Sequence, residues 1–365
     1  MGDALGLIGG VAGPLLVLLL LVVPLIVVHE LGHLFAARSR GIAVEEFGIG
    51  FPPRVAVLHR GARTLLSLNA LPFGGFVRMA GAAEGSSEPD GWERATLTSK
   101  TIVMLAGVLV NLAVAFALML VLAGPLAERG ELLLADVQPG SPAANAGIVP
   151  GERIAALNGS PFDRFETPLG SIREAAGTEV QLTIIDSANV ARDVTLQLRT
   201  LEEAAGQGVL GVSIADLLPA GQLERPVVEV FGLAASRTFE AGTAIIGGIA
   251  DLFSAPFKGI DDAPALSGPI GIAVGVSGAA ERLGLSGLLQ IAALLSANLA
   301  VLNLLPIPPL DGGRVAALLL RRLLGGERGR TVEQALVTAG ALAMLLLFCW
   351  ITLGDLLSVF GGGAR

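Results

Sequence analysis

The sequence predicts a polytopic α-helical membrane protein with four transmembrane helices, a membrane-associated β-hairpin and one extracytoplasmic α/β domain. Three observations predict it. More than half of the 365 residues are apolar and only 15% are charged, a composition found in membrane proteins. Four mostly apolar runs reach the roughly 20 residues needed to cross a bilayer. Between the second and third runs the pattern changes to short alternating segments of the kind that form strands.

The first span occupies residues 1–37, and its apolar run from Leu5 to Ala37 is interrupted only by His29, Glu30 and His33. Asp3 is the only charged side chain before His29, so the basic start of a signal peptide is missing and the run reads as a retained helix. Residues 38–100 form a basic loop containing "RTLLSLNALPFGGFVRM". Two apolar runs around Pro72, Gly74 and Gly75 read there as strand, turn and strand. The second span covers 101–127. Residues 128–205 form the outer domain, in which "ELLLADV", "ERIAALNG", "EVQLTIID" and "DVTLQL" read as strands. Residues 206–282 connect it to the third span. Within them Leu233–Phe253 carries Arg237, Glu240 and Asp251 and reads as an amphipathic helix on the membrane surface. The third span covers 283–312, a basic loop 313–332, the fourth span 333–358 and a tail 359–365.

Orientation follows from the short loops. Arg38, Arg40, Arg54, Arg60, Arg63, Arg78, Arg94 and Lys100 lie in the first, and Arg314, Arg321, Arg322, Arg328 and Arg330 in the third. Positive loops stay in the cytoplasm. Both termini and the outer domain are therefore expected outside. The formal net charge of −8 argues against nucleic acid as a partner. A single cysteine, Cys349, excludes disulfides and cysteine-based zinc sites.

"VVHELGHLFAAR", residues 27–38, carries the chemistry. His29 and His33 share one helix face and Glu30 lies beside them. In the H-E-x-x-H pattern two imidazoles bind zinc and the glutamate acts as general base. The competing reading is a pair of structural histidines. His29 lies roughly 13 Å along the helix from its basic end, however, and ionisable groups at such depth usually line a functional cavity. Catalytic zinc takes three protein ligands. The candidates for the third are His59, in the basic loop, and Asp311, in "NLLPIPPLDGGR" at the end of the third span. Asp311 reads either as a ligand or as a helix cap beside a Gly-Gly turn.

These motifs together resemble the site-2 protease family of intramembrane zinc metalloproteases, in its bacterial sigma-factor-regulating branch. Its pattern is H-E-x-x-H in one span and N-x-x-P-x-P-x-L-D-G in another. This chain has His29, Glu30 and His33, then Asn303, Pro306, Pro308, Leu310, Asp311 and Gly312. "TLLSLNALPFGGFVRMAG" looks like the family's hairpin, with Phe76 where tyrosine is expected, and "SGPIGIA" at 267–273 like the segment before its third span. "VQPGSPAANAGIVPGERIAALNG" resembles bacterial PDZ domains.

The resemblance implies one catalytic Zn2+ held by His29, His33 and Asp311. It implies Glu30 as base and Asn303 as a group that holds substrate or polarises the scissile carbonyl. It also implies a multi-pass protein of the bacterial inner membrane with its active site toward the cytoplasm. The expected substrate is a single-pass membrane protein, such as an anti-sigma factor or a remnant signal peptide, cleaved in regulated intramembrane proteolysis. Such a substrate must be unwound before its carbonyls can be attacked. A hairpin edge could take the unwound strand, although the hairpin also reads as purely structural. The PDZ-like domain would bind peptide C-termini, filter substrates by size, or serve passively. Two other classes stay open at this point: a metal-ion transporter, and a non-catalytic scaffold built on the PDZ-like domain.

Overall fold

The computed structural model describes residues 2–81, 89–164, 168–204, 207–258 and 269–360. In chain order the elements are α1 (Gly2–Ser39), β1 (Val44–Arg60), β2 (Leu65–Met79), a 3-10 turn (Trp92–Arg94), α2 (Leu97–Ala123), β3 (Glu128–Val137), α3 (Pro142–Asn145), β4 (Arg153–Leu157), β5 (Ser160–Asp163), α4 (Pro168–Glu174), β6 (Glu179–Ile185), β7 (Ala191–Gln197), α5 (Leu201–Ala204), β8 (Val212–Gln222), α6 (Val227–Lys258), α7 (Pro269–Leu304), α8 (Asp311–Leu324) and α9 (Gly326–Phe360). They form two compact units: Met1–Met119 with Ala234–Arg365, and Leu120–Leu233.

Among the described residues, four helical stretches are long and apolar enough to cross a membrane: Ala12–Ser39, Leu97–Ala123, Gly284–Leu304 and Gly326–Gly354. Their termini depart from expectation in instructive places. The third span was expected to run through residue 312 but ends at Leu304. Pro306, Pro308 and Pro309 follow, and proline lacks the N–H that a helix needs while pushing its predecessor out of helical space. At the other end α7 starts at Pro269, and Gly284 (φ 61°, ψ −142°) breaks it before the span proper. Ser267 and Gly268 lie outside the described residues, as does the tail from 361. The expected loop 313–332 is helical instead. In α8 Ala317 and Leu318 are buried while Leu319, Arg322 and Leu323 are exposed, a one-sided pattern that a helix satisfies. The expected 233–253 helix exists and is longer, spanning Val227–Lys258.

The hairpin also differs. Pro72, Gly74 and Gly75 do not close a turn: β2 passes through them as one bent strand, and the reversal lies at 61–64, after the unanticipated β1. Register shows how the pair folds. Residues 44–49 of β1 pair with 75–79 of β2, and 46–49 also pair with 65–68. Residues 65–69 pair in turn with 54–60. Segment 75–79 is therefore an edge, bonded to β1 alone among the described strands. Glu46 is buried at the centre of this sheet and is held by Ser67 (2.7 Å), Arg54 (2.6 Å) and Arg78 (3.0 Å). Burial pulls its carboxyl pKa upward. The hydrogen bonds from Ser67 and Arg54 and the nearby Arg78 charge outweigh that and hold it below the ordinary value.

The sheet packs on helices through Phe47, Val44 and Met79 against Leu34 and Ala37 of α1 and Val103 and Met104 of α2. Leu18 of α1 meets Ala273 and Val276 of α7, and Ala115 of α2 meets Ala241 of α6 and Ala297 of α7. The Ser296 hydroxyl donates to the Asn111 carbonyl (2.7 Å), joining α7 to α2. Gly340 of α9 lies so close to the Pro308 carbonyl that a Cβ at 340 has no room.

The second unit is a six-stranded sheet in the order β7-β6-β4-β5-β3-β8. Alternation on β3, β4 and β6 sends Leu132, Leu134, Ile154, Val180, Leu182 and Ile184 inward. Each such side chain contributes about 1.5–3 kcal/mol by leaving water. Phe162, Ile172 of α4, Val209 and Leu210 complete the core. The buried Asp163–Arg225 pair (3.0 Å) ties β5 to the start of α6, where Arg225 also meets Glu229 (3.2 Å).

Candidate metal centre

Helical spacing in α1 turns His29 and His33 toward the same point, with ring planes 87° apart. The orientation of His33 is fixed from α2. Its Nδ1–H donates to the Val103 carbonyl at 2.7 Å, which leaves Nε2 with a free lone pair. That Nε2 lies 3.1 Å from the Nε2 of His29.

Asp311 completes a triangle: its Oδ2 is 3.0 Å from His29 Nε2 and 3.3 Å from His33 Nε2. The turn that delivers it depends on glycine. A Cβ at Gly312 would collide with the Leu304 and Leu305 carbonyls, and one at Gly313 with the Ile307–Pro308 peptide. Asp311 is also the first residue of α8, where a negative charge suits the helix N-terminus. Asp311 thus opens α8 and faces both imidazoles from the same position.

The residues present fit a zinc ion. Ligands about 2.0–2.1 Å from a tetrahedral ion stand about 3.3 Å apart, and the three edges here are 3.0, 3.1 and 3.3 Å. His29, His33 and Asp311 are all buried, so three electron-rich atoms crowd together away from water. One cation between them satisfies all three at once. Glu30 belongs to the same cluster: its carboxylate and the two histidine nitrogens lie within 4.8 Å of one another. Asp311 Oδ2 closes the tight triangle with the two imidazoles, and the Glu30 carboxylate lies beside it.

Other expected residues lie elsewhere. His59 is exposed on β1, opposite Leu66. Asn303 is half-buried near the end of α7, and its Nδ2 donates to the Leu299 carbonyl of its own helix (2.9 Å); the structure does not bring it into the metal triangle. Asn111 is fully buried, and its side-chain amide makes no hydrogen bond among the described residues.

Three contributors were not anticipated. A Cβ at Gly107 of α2 would stand 2.6 Å from His29 Cε1 and 2.7 Å from His33 Nε2, so only glycine leaves the imidazoles their place. Gly32 of α1 approaches the Ala106 carbonyl in the same way, at 2.8 Å. Gly75 sits where a Cβ would reach the Glu30 side chain at 3.0 Å, bringing the sheet edge beside the base. The available signal was Ala106-Gly107, a pair of small residues inside a span, which is where membrane helices approach closely.

Comparison with known proteins agrees with this geometry. The model of peptidase family M50 matches residues 16–347. A protein of Nostoc sp. named "Putative zinc metalloprotease" is 32% identical over 346 residues, covering 88% of this chain and 90% of its own length. A protein of the same name from Clostridium perfringens is 31% identical over 336 residues, covering 91% and 95%. The chloroplastic membrane metalloprotease ARASP of Arabidopsis thaliana is 29% identical over 360 residues, covering 92% of this chain and 77% of its own length.

Proposed function

The chain belongs to peptidase family M50 and is a membrane zinc metalloprotease, and from that premise we propose that it cleaves peptide bonds inside the transmembrane segments of single-pass membrane proteins. The observation that carries this reading is the seat of the cluster. His29, Glu30 and His33 lie within an apolar helical stretch long enough to span a bilayer, so the bond they attack must be brought to membrane depth.

His29, His33 and Asp311 would hold the zinc ion, which would supply Lewis acidity for the attack of water on the scissile carbonyl. Glu30 takes a proton from the attacking water and returns it to the leaving nitrogen. Val103 holds the His33 tautomer. The edge 75–79, placed beside Glu30 by Gly75, offers a substrate strand unwound from its helix the side that pairs with no described strand. Asn303 donates to the substrate carbonyl after giving up its bond to Leu299. Substrates of the anti-sigma-factor or remnant-signal-peptide kind fit this chemistry, in a bacterial inner membrane with the active site toward the cytoplasm and the sheet unit outside.

The sheet unit is assigned a peptide partner. A cleft of about 650 Å³ lies between Leu169, Ile172 and Arg173 of α4 and residues 207–214. The backbone N–H groups of 208–211 make no hydrogen bond to a described residue, and such groups suit a C-terminal carboxylate, as in a PDZ-like domain. Peptides with free and amidated C-termini, compared by fluorescence anisotropy, test this. Equal binding of both would remove the carboxylate role.

The central experiment is co-expression with a single-pass substrate, comparing wild type with Glu30→Gln. The expected result is a loss of cleavage of about 10²–10⁴-fold, with one equivalent of zinc retained by the purified variant. Equal cleavage by both proteins would take Glu30 out of the chemistry.

A further inference from the structure

A cleft of about 480 Å³ runs from residues 76–79 of β2 to α8 and α9, with Met104 and Val337 among its apolar lining. It begins next to the metal centre, because Gly75 abuts Glu30 and Phe76 is the first residue of the wall. Its wall is the free edge of the sheet. Residues 75–79 pair with 44–49 on one side and with no described strand on the other.

The charges along this cleft are unequally satisfied. Arg321 spends its guanidinium on two acids, Glu93 at 2.8 Å and Glu333 at 3.0 Å. Arg78 is bonded to Glu46. Arg314 and Arg330 also line the cleft, and neither is in an ion pair among the described residues. Four arginines, Arg78, Arg314, Arg321 and Arg330, line the cleft against two acids, Glu93 and Glu333, so its charge is positive on balance and the complementary occupant is anionic.

We propose that this cleft is a specificity subsite that takes the substrate chain beside the scissile bond and selects an acidic side chain through Arg314 and Arg330. The proposal rests on the proteolysis reading above. A strand laid along the edge advances about 3.3 Å per residue, so the four steps from Gly75 to Met79 cover about 13 Å. The selected carboxylate therefore lies within about five residues of the cleaved bond, on one flank only. Guanidinium is suited to this task because its planar fork takes a carboxylate in two parallel bonds.

The test uses the purified full-length zinc enzyme and three single-pass model substrates. They share one spanning segment and differ in the flank beside it, which carries four aspartates, four serines or four lysines. Cleavage is measured in phosphatidylcholine vesicles with and without phosphatidylglycerol. Wild type is expected to favour the aspartate over the lysine flank by about tenfold in kcat/KM. Arg314→Glu with Arg330→Glu is expected to reverse that ratio, and Arg330→Glu alone to shrink it. Cleavage of the serine-flanked substrate and zinc content report whether each variant is folded. A wild type that cleaves all three at one rate overturns the subsite and leaves the protease reading standing. A variant that loses activity equally on all three, in step with phosphatidylglycerol content, overturns it in favour of a lipid headgroup site. A wild type that cleaves none of them, like Glu30→Gln, defeats the protease reading and the subsite with it.

Discussion

The two units of this chain differ in what they hide beside their apolar cores. The sheet unit buries leucine, isoleucine and valine by alternation, and the acids it hides, Asp163 and Glu152, are paired with Arg225 and Arg192. The helical unit buries His29, His33 and Asp311 together, and also Glu46, Asn69, Asn111 and Lys100, and glycine at 107 leaves the two imidazoles their room. A sheet domain is stabilised by filling space. A metal centre inside a span is made by leaving space out, since each buried polar atom needs its partner at a set distance.

The largest expected effect is at Gly107. Gly107→Leu pushes a side chain into both imidazoles, and zinc content should fall at least tenfold, as elemental analysis of the purified protein would show. The sheet unit should remain protected in amide exchange. Full zinc occupancy in that variant would break the contrast. Leu182→Ala strikes the other kind of interior. It should destabilise the sheet unit by about 2–5 kcal/mol in denaturant melts while zinc per folded molecule stays constant. Loss of zinc in proportion to sheet unfolding would mean that the units share one fate. Asn303→Ala sharpens the picture inside the site. As a carbonyl donor it should cost about 10²-fold in kcat with KM little changed, whereas a change under about threefold would make it a helix-bonding residue only.

The smallest effect concerns the ion triad of Arg321. A hydrogen bond from Arg321 lowers the pKa of Glu93 against the opposing pull of burial. A depressed carboxylate stabilises fully above its unfolded value of about 4.3 and loses that contribution as pH falls through the lower folded value. For so exposed a pair the contribution is under ~1 kcal/mol. Melting temperature should thus fall slightly less in Glu93→Gln than in wild type on going from neutral pH to below about pH 4. Parallel curves would show that the triad contributes nothing.

Polarity out of place was what made the site readable from sequence. His29, Glu30, His33 and Asp311 stand out because hydrocarbon surrounds them, and the apolar runs declare the four spans. Strand alternation likewise announced β3, β4 and β6. Close approach leaves no comparable mark. Gly107, Gly32 and Gly75 matter for the atoms they lack, and only the packed structure shows what would occupy that space. β1 escaped because Gly50, Pro52 and Pro53 read as turn residues, whereas in the fold they bend a strand that goes on pairing with β2. α8 escaped because its Gly-Gly opening reads as a turn. Asn303 was legible as a motif position, but its bond to Leu299 belongs to the helix and to no pattern of spacing.

Gly340 has a mechanical consequence. Only a hydrogen atom keeps the last span clear of the Pro308 carbonyl, and Pro308 stands three residues before Asp311. The span and the turn that carries Asp311 are therefore geared together, so a shift of α9 at Gly340 is expected to move Asp311 with it. Zinc affinity of Gly340→Ala reads this gearing directly, and an unchanged value would show that helix and ligand move independently.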